Sequence, residues 1–262
     1  MIKAVCELIL LKKNNNISKE RFYRFLSGES YLKCFQVVVA ETDLFVYAKR
    51  ELKQETHEQV MKYRGYVESF IRQCPTFATT LAPWTAIGPS PEIIRQMIHA
   101  GQKAGVGPMA AIAGAIAEMV GQELLQFSDE IIIENGGDLF IHKKDPFVVG
   151  IFAGESPFSN RIGIRVDSSD QPVSICTSSG TIGHSLSMGK AHAVTIRSKS
   201  AALADAAATA TGNRVKTVND ISEAISFAQN ISGVDGVLVL VDDKMGAWGD
   251  MEIVPVKPGV LK

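Results

Sequence analysis

Asp205 and Thr209 stand four residues apart in the alanine-rich run ALADAAATATGN. On a helix that spacing puts both side chains on one face. A carboxylate and a hydroxyl offer the oxygen donors that a hard cation such as magnesium takes. Two donors are too few for a full shell, so backbone carbonyls, water or ligand phosphates would have to complete it. An Asp capping or solvating an exposed helix face gives the same pattern.

A second polar cluster runs Thr177, Ser178, Ser179, Gly180, Thr181, with His184 and Ser185 just beyond. Its hydroxyls and backbone N–H groups suit an anion, although Ser/Thr turns also form without any ligand. No Gly-x-Ser-x-Gly elbow is present, so a serine nucleophile has no support. His184 suits a ligand hydrogen bond or a proton carrier. Asn135-Gly136-Gly137-Asp138 is the third group; it reads either as a tight hairpin turn or as a backbone that a ligand approaches closely. Cys176 reads as a buried thiol. The segment GVGPMAAIAG, from Gly105, reads as a helix start that faces a phosphate or as a close helix contact.

Strands ending at Asn135, starting at Asp138 and ending near Cys176 must position these groups, with a helix carrying Asp205 and Thr209. The sequence predicts a hairpin from Phe35–Ala40 and Leu44–Ala48, then a polar helix from about Glu51 to Gln73, ended by Cys74-Pro75. A helix follows Ser90-Pro91 and ends near Gly101, and Pro108 opens another. Asp129–Glu134, Leu139–His142, Phe147–Phe152 and Ile162–Val166 read as strands, with Phe147–Phe152 continuing the sheet. Asp220 caps a helix to about Gln229. Val234–Val241 reads as a strand broken by Gly236, and Glu252–Val256 as the last strand. Many strands joined by turns, with helices inserted in pairs, suit an α+β fold with mostly antiparallel sheet. One domain over 1–262 is expected, with two pseudo-repeated halves and a peripheral strand and turn in 1–20.

The chain has 262 residues, a net charge of -1 and 46% hydrophobic content, enough for a sizeable core and without the basic excess of a nucleic-acid binder. The four cysteines form no CxxC pair and read as free thiols in a reducing compartment. The N-terminus lacks a signal-peptide pattern, and the most apolar helix candidate, Pro108–Val120, is too short to span a bilayer and contains Glu118. The expectation is a cytoplasmic protein with neither nucleic acid nor membrane as partner. The GxGxxG and Walker A signatures are missing.

The motifs RFYR (from Arg21), ETDL (from Glu41), GVGPMAAIAGAIAE (from Gly105), ENGGD, GIFAGESP, CTSSGTIGHS and ALADAAATATGN resemble the UPF0280 family of prokaryotic proteins, over about Arg21 to Gly249. That family is similar, more remotely, to the ApbE flavin transferases. The resemblance implies a duplicated T-fold and the use of FAD and magnesium to attach FMN to a Thr or Ser of a protein acceptor. It places Asn135, Gly136, Gly137, Asp138, Thr177, Ser178, Ser179, Gly180 and His184 at the cofactor. It makes Asp205 and Thr209 metal ligands, and His184 and Asp205 the catalytic pair. The helix around Ile112–Glu118 resembles a segment that supplies a backbone metal ligand. Ala113-Gly114 stands where the transferases carry Lys-Gly, and their histidine precedes Asp-Pro rather than Ser185-Leu186. The early Met-Gly-Thr and aromatic segments are not found. The resemblance thus implies magnesium-dependent transfer or cleavage on FAD or a related nucleotide. Its alternatives are a non-catalytic flavin, nucleotide or small-molecule binder, and an assembly protein without a ligand. A protein acceptor and a second copy of the chain are the macromolecular partners left open.

Overall fold

The computed structural model describes residues 31–85, 88–180 and 189–256. Strands β1 (Lys33–Val39) and β2 (Thr42–Ala48) lead to helices α1 (Lys53–Gln73), α2 (Glu92–Ala104) and α3 (Ile112–Leu124). Strands β3 (Ile131–Asn135), β4 (Asp138–His142), β5 (Phe147–Gly150), β6 (Ile162–Val166), β7 (Val173–Ser178) and β8 (Ala193–Ser198) follow. Helices α4 (Ala201–Gly212) and α5 (Ile221–Gln229) precede β9 (Val234–Val241), β10 (Lys244–Gly249) and β11 (Glu252–Pro255).

Eight strands form one sheet in the order β1-β2-β3-β4-β7-β8-β9-β10, and β11-β6-β5 form another. Every pairing is antiparallel. The α+β expectation therefore holds. Successive side chains on a strand point to opposite faces. Ile131, Ile133, Phe140, Cys176, Ile196 and Val239 pack with the helices. Ile132, Ile141, Ile175 and Leu240 pack with Phe147, Ile164 and Val166 of the smaller sheet. The large sheet is thus covered on both faces, which is why Ile131-Ile132-Ile133 is an unbroken apolar run.

Several elements differ from the sequence reading. The strand from Phe147 does not continue the main sheet; it pairs with β6 in the smaller one. Gly236 does not end β9, which runs Val234–Val241, but the pairing with β8 shifts register beside it, between Arg197 and Ser198, and a Cβ there would stand 2.7 Å from Met251 Cγ. Helix α2 runs to Ala104 and closes on Gly105 in the left-handed region at φ 74°. Pro108 opens a 3₁₀ turn, Pro108–Ala111, and the α-helix starts only at Ile112. In the loop after α1, Phe77 is fully buried, with Phe70 at 4.8 Å and Trp84 at 5.6 Å between ring centroids. The strand and turn expected in 1–20 lie outside the described residues. Among the described residues no single helix is long and apolar enough to cross a membrane; α2 and α3 pass that test only together, bent by 106°. Cys74 and Cys176 are free thiols.

Candidate functional site

Asn135 and Asp138 pair across a two-residue hairpin loop. Gly136 takes φ 69°, a conformation that glycine adopts without steric cost. At Gly137 a Cβ would stand 2.8 Å from the Thr177 carbonyl oxygen, so the loop backbone lies directly on β7. Thr177 N–H donates to the Gly137 carbonyl at 3.0 Å. Asn135 Nδ2 donates to the Ala113 carbonyl at 3.0 Å, tying the hairpin to the first turn of α3. These residues form the tight hairpin turn, and the turn also reaches the helix layer.

The first turns of α3 and α4 cross beside the hairpin. A Cβ on Gly114 would stand 2.2 Å from the Ala201 carbonyl oxygen and 2.9 Å from Asp205 Cβ, so only glycine lets the backbones approach this closely. Asp205 Oδ2 accepts from Gly114 N–H at 3.0 Å, and the carboxylate also accepts from Ala113 N–H. Glu118 does the converse: its Oε2 accepts from Ala201 N–H at 2.7 Å, Ala202 N–H at 3.3 Å and Ser200 Oγ at 3.1 Å. Two helix N-termini, each with orphan N–H groups and a partial positive charge, thus lie side by side, and each receives a carboxylate from the other helix.

Asp138, paired with Cys176, projects onto the same helix-facing side of the sheet. Burial first, then the charge of Asp205, pushes the Asp138 carboxyl well above its ordinary range; its hydrogen bonds with Cys176 and Thr177 N–H pull the other way. Burial lifts Asp205 to about 7 despite the N–H groups of Gly114 and Ala113. The two carboxyls titrate as a pair. Burial and both carboxylates push the Cys176 thiol far up, so the sulfur is a neutral filler rather than a nucleophile. Asp205 and Thr209 are both half-buried on α4, one turn apart.

The hydroxyl-rich run is divided by strand alternation. Ser178 shares the helix-facing side with Cys176; its Oγ is buried and has no hydrogen-bond partner among the described residues. Thr177 faces the smaller sheet, where its Oγ1 lies 2.9 Å from Thr195 Oγ1. Ser179 and Gly180 lie beyond the strand end, and Gly180 N–H donates to the Ala191 carbonyl at 3.0 Å. Thr181, His184 and Ser185 lie outside the described residues. The structure therefore brings Asn135, Asp138, Ser178 and Asp205 to one side of the sheet and turns Thr177 to the other. The sequence reading missed Glu118, whose signal was a lone carboxylate in an otherwise apolar, small-residue helix. Among the described residues no group of three or more His, Cys, Asp or Glu side chains is placed to share a metal ion.

A family model described as AbpE bacteria matches residues 24–241. A UPF0280 protein of Methanocella arvoryzae is 37% identical over 212 residues, covering 80% of this chain and 86% of its own. A UPF0280 protein of Methanocaldococcus jannaschii is 38% identical over 220 residues, covering 82% and 89%. Among solved structures, the apo form of Pseudomonas stutzeri flavinyl transferase ApbE superposes with a TM-score of 0.57 at 14% identity, covering 86% of this chain and 95% of that one. Flavin transferase ApbE from Vibrio cholerae gives a TM-score of 0.52 at 11% identity, covering 83% and 96%. At such identities the likeness is one of fold. The chain belongs to the UPF0280 family, and its fold is that of the ApbE flavin transferases.

Proposed function

We propose that this protein carries out magnesium-dependent transfer or cleavage chemistry on FAD or a related nucleotide, where the β3–β4 hairpin, β7 and the N-termini of α3 and α4 meet. The observation that carries the reading is the Asp138–Asp205 pair. Both carboxyls are pushed up by burial, and Asp205 is only half-buried. Such a pair is uncomfortable without added positive charge. Its oxygen donors, with Thr209 one turn on, fit a hard divalent cation. Among the described residues no three acidic, His or Cys side chains are placed to share a metal ion, so ligand phosphates, water or a backbone carbonyl complete the shell.

A bound magnesium ion supplies charge neutralisation at a pyrophosphate. Asp205 and Thr209 hold it. Asn135 fixes the hairpin against α3, and Gly136 and Gly137 admit a ligand close to the backbone. Ser178 Oγ has a hydrogen bond to give. Ser179 and Gly180 belong to the same ligand-binding set in this reading, Thr177, whose hydroxyl meets Thr195 on the other face, does not, and His184 moves a proton or binds phosphate. The acceptor is a Thr or Ser hydroxyl of a separate protein, and the two halves of the chain are copies of one T-fold unit.

A second reading, binding of a flavin or other nucleotide without turnover, is favoured by Ala113 standing where the transferases carry lysine. The third, a purely structural role, draws on the contact of Asp205 with Gly114 N–H. Intact-mass spectrometry after incubation with FAD, magnesium and a Thr-bearing acceptor separates them. Transfer predicts an FMN adduct on the acceptor that Asp205→Ala abolishes. Ligand retention without adduct selects the binder, and neither outcome selects the structural reading.

A further inference from the structure

We infer that Glu118 is a positioning residue for Asp205, acting through the exchange of carboxylates between α3 and α4. For any part in the reaction this rests on the reading of Asp205 given above. The geometry of the exchange stands without it.

Helix α3 leaves its first N–H groups without intrahelical acceptors, as every helix does. Gly114 N–H is one of these, and Asp205 Oδ2 takes it at 3.0 Å. Helix α4 has the same need. Glu118 Oε2 takes Ala201 N–H at 2.7 Å and Ala202 N–H at 3.3 Å, and Ser200 Oγ takes Leu203 N–H at 3.4 Å. Ser200 also donates to Glu118 Oε2 at 3.1 Å, closing the set. Asp205 lies only one turn into the helix whose start Glu118 holds. Gly114, between them, sits within van der Waals contact of both Ala201 and Asp205. The first turn of α4 is therefore a rigid spacer: moving Ala201 moves Asp205 relative to Gly114.

Glu118 has no Lys or Arg partner among the described residues; besides the donors at the start of α4, Gln122 Nε2, one turn on in α3, donates to its Oε1 at 3.4 Å. A carboxylate buried there at a desolvation cost, with N–H and hydroxyl donors alone to compensate it, fixes a position. A cap of α4 alone could equally come from Ser200 and water. What Glu118 adds is a link from the body of α3 back to the helix that returns Asp205 to the start of α3.

Amide hydrogen exchange on the full chain, read residue by residue, tests this with Glu118→Asp, which shortens the reach by one methylene, and Glu118→Gln, which keeps the reach without the charge. The expected result for Glu118→Asp is exchange about tenfold faster at Ala201 and Ala202 and also at Gly114, the size of a lost helix cap. Amides of β9 stay unchanged, and Glu118→Gln gives a smaller change that Ala201 and Gly114 share. The half-saturating Mn²⁺ concentration, followed by the water-proton relaxation enhancement, rises in parallel for Glu118→Asp. Faster exchange confined to Ala201 and Ala202, with Gly114 unmoved in both folded variants, would overturn the inference. If Glu118→Asp does not fold, Glu118→Gln decides alone: Gly114 as slow as in the parent protein would overturn it, and a joint change of both amides supports it. Absence of Mn²⁺ binding by the parent protein counts against the metal reading of Asp205, not against the exchange coupling.

Discussion

Two groups of carboxylates in this molecule meet opposite fates. At the start of β3, Glu130 has a side chain only 1% exposed, yet its carboxyl is held below the ordinary range. Tyr31 donates to it at 2.5 Å, Lys144 N–H at 3.1 Å, and Lys49 Nζ stands 3.4 Å away. Neighbouring Asp129 pairs with Lys49 at 2.7 Å and Lys144 at 2.6 Å. Across the sheet, Asp138 and Asp205 have N–H and thiol donors but no Lys or Arg partner among the described residues, and both are pushed up. One cluster carries its own cations and is finished as a structural tie. The other lacks a positive charge among the described residues, and the proposed cation site rests on that difference.

The largest effect that sharpens this contrast comes from crowding the helix crossing. Gly114→Val puts a side chain on the Ala201 carbonyl and is expected to lower stability by roughly 3 kcal/mol or prevent folding, measured by urea unfolding. Next comes Asp205→Asn, expected to weaken divalent-ion binding by about a hundredfold while leaving the fold intact, since the amide oxygen still accepts from Gly114 N–H; loss of a charged ligand in a partly buried site has that scale. Equal losses from Lys49→Met would erase the distinction between the two clusters.

The pH response gives the comparison a sign. Asp205 is raised from its ordinary value to about 7, so in metal-free protein its unfolded form ionises first. Its contribution to stability is full below the ordinary aspartate range and is lost as pH rises towards 7. Glu130 and Asp129 are lowered and give the opposite slope, with stability lost as pH falls through their folded values. Asp205→Asn should therefore flatten the decline between about pH 4 and 7 in thermal melts without magnesium. The smallest expected difference lies on β7. Thr177→Val breaks a bond to Thr195 and should cost about 1 kcal/mol, whereas Ser178→Ala removes an unpartnered hydroxyl and should be near neutral until a ligand is present.

Local chemistry makes much of this legible. The Asn135–Asp138 hairpin follows from two glycines between apolar strands, and the shared face of Asp205 and Thr209 from helical spacing. The parts missed depend on contacts between distant residues. No pattern near Phe147 says that its strand leaves the main sheet for β6 and β11. Nothing within GAIAE names Ala201, more than eighty residues on, as the partner of Glu118. CTSSG is a different case: the two-residue alternation of a strand is enough by itself to put Thr177 and Ser178 on opposite faces.

The most direct test of the central claim is Mn²⁺ titration by electron paramagnetic resonance at pH 7.5, with FAD present, for the parent protein and Asp205→Asn. The account predicts a saturable site in the parent protein that the variant loses. Indistinguishable binding curves, or no binding by either, would contradict it.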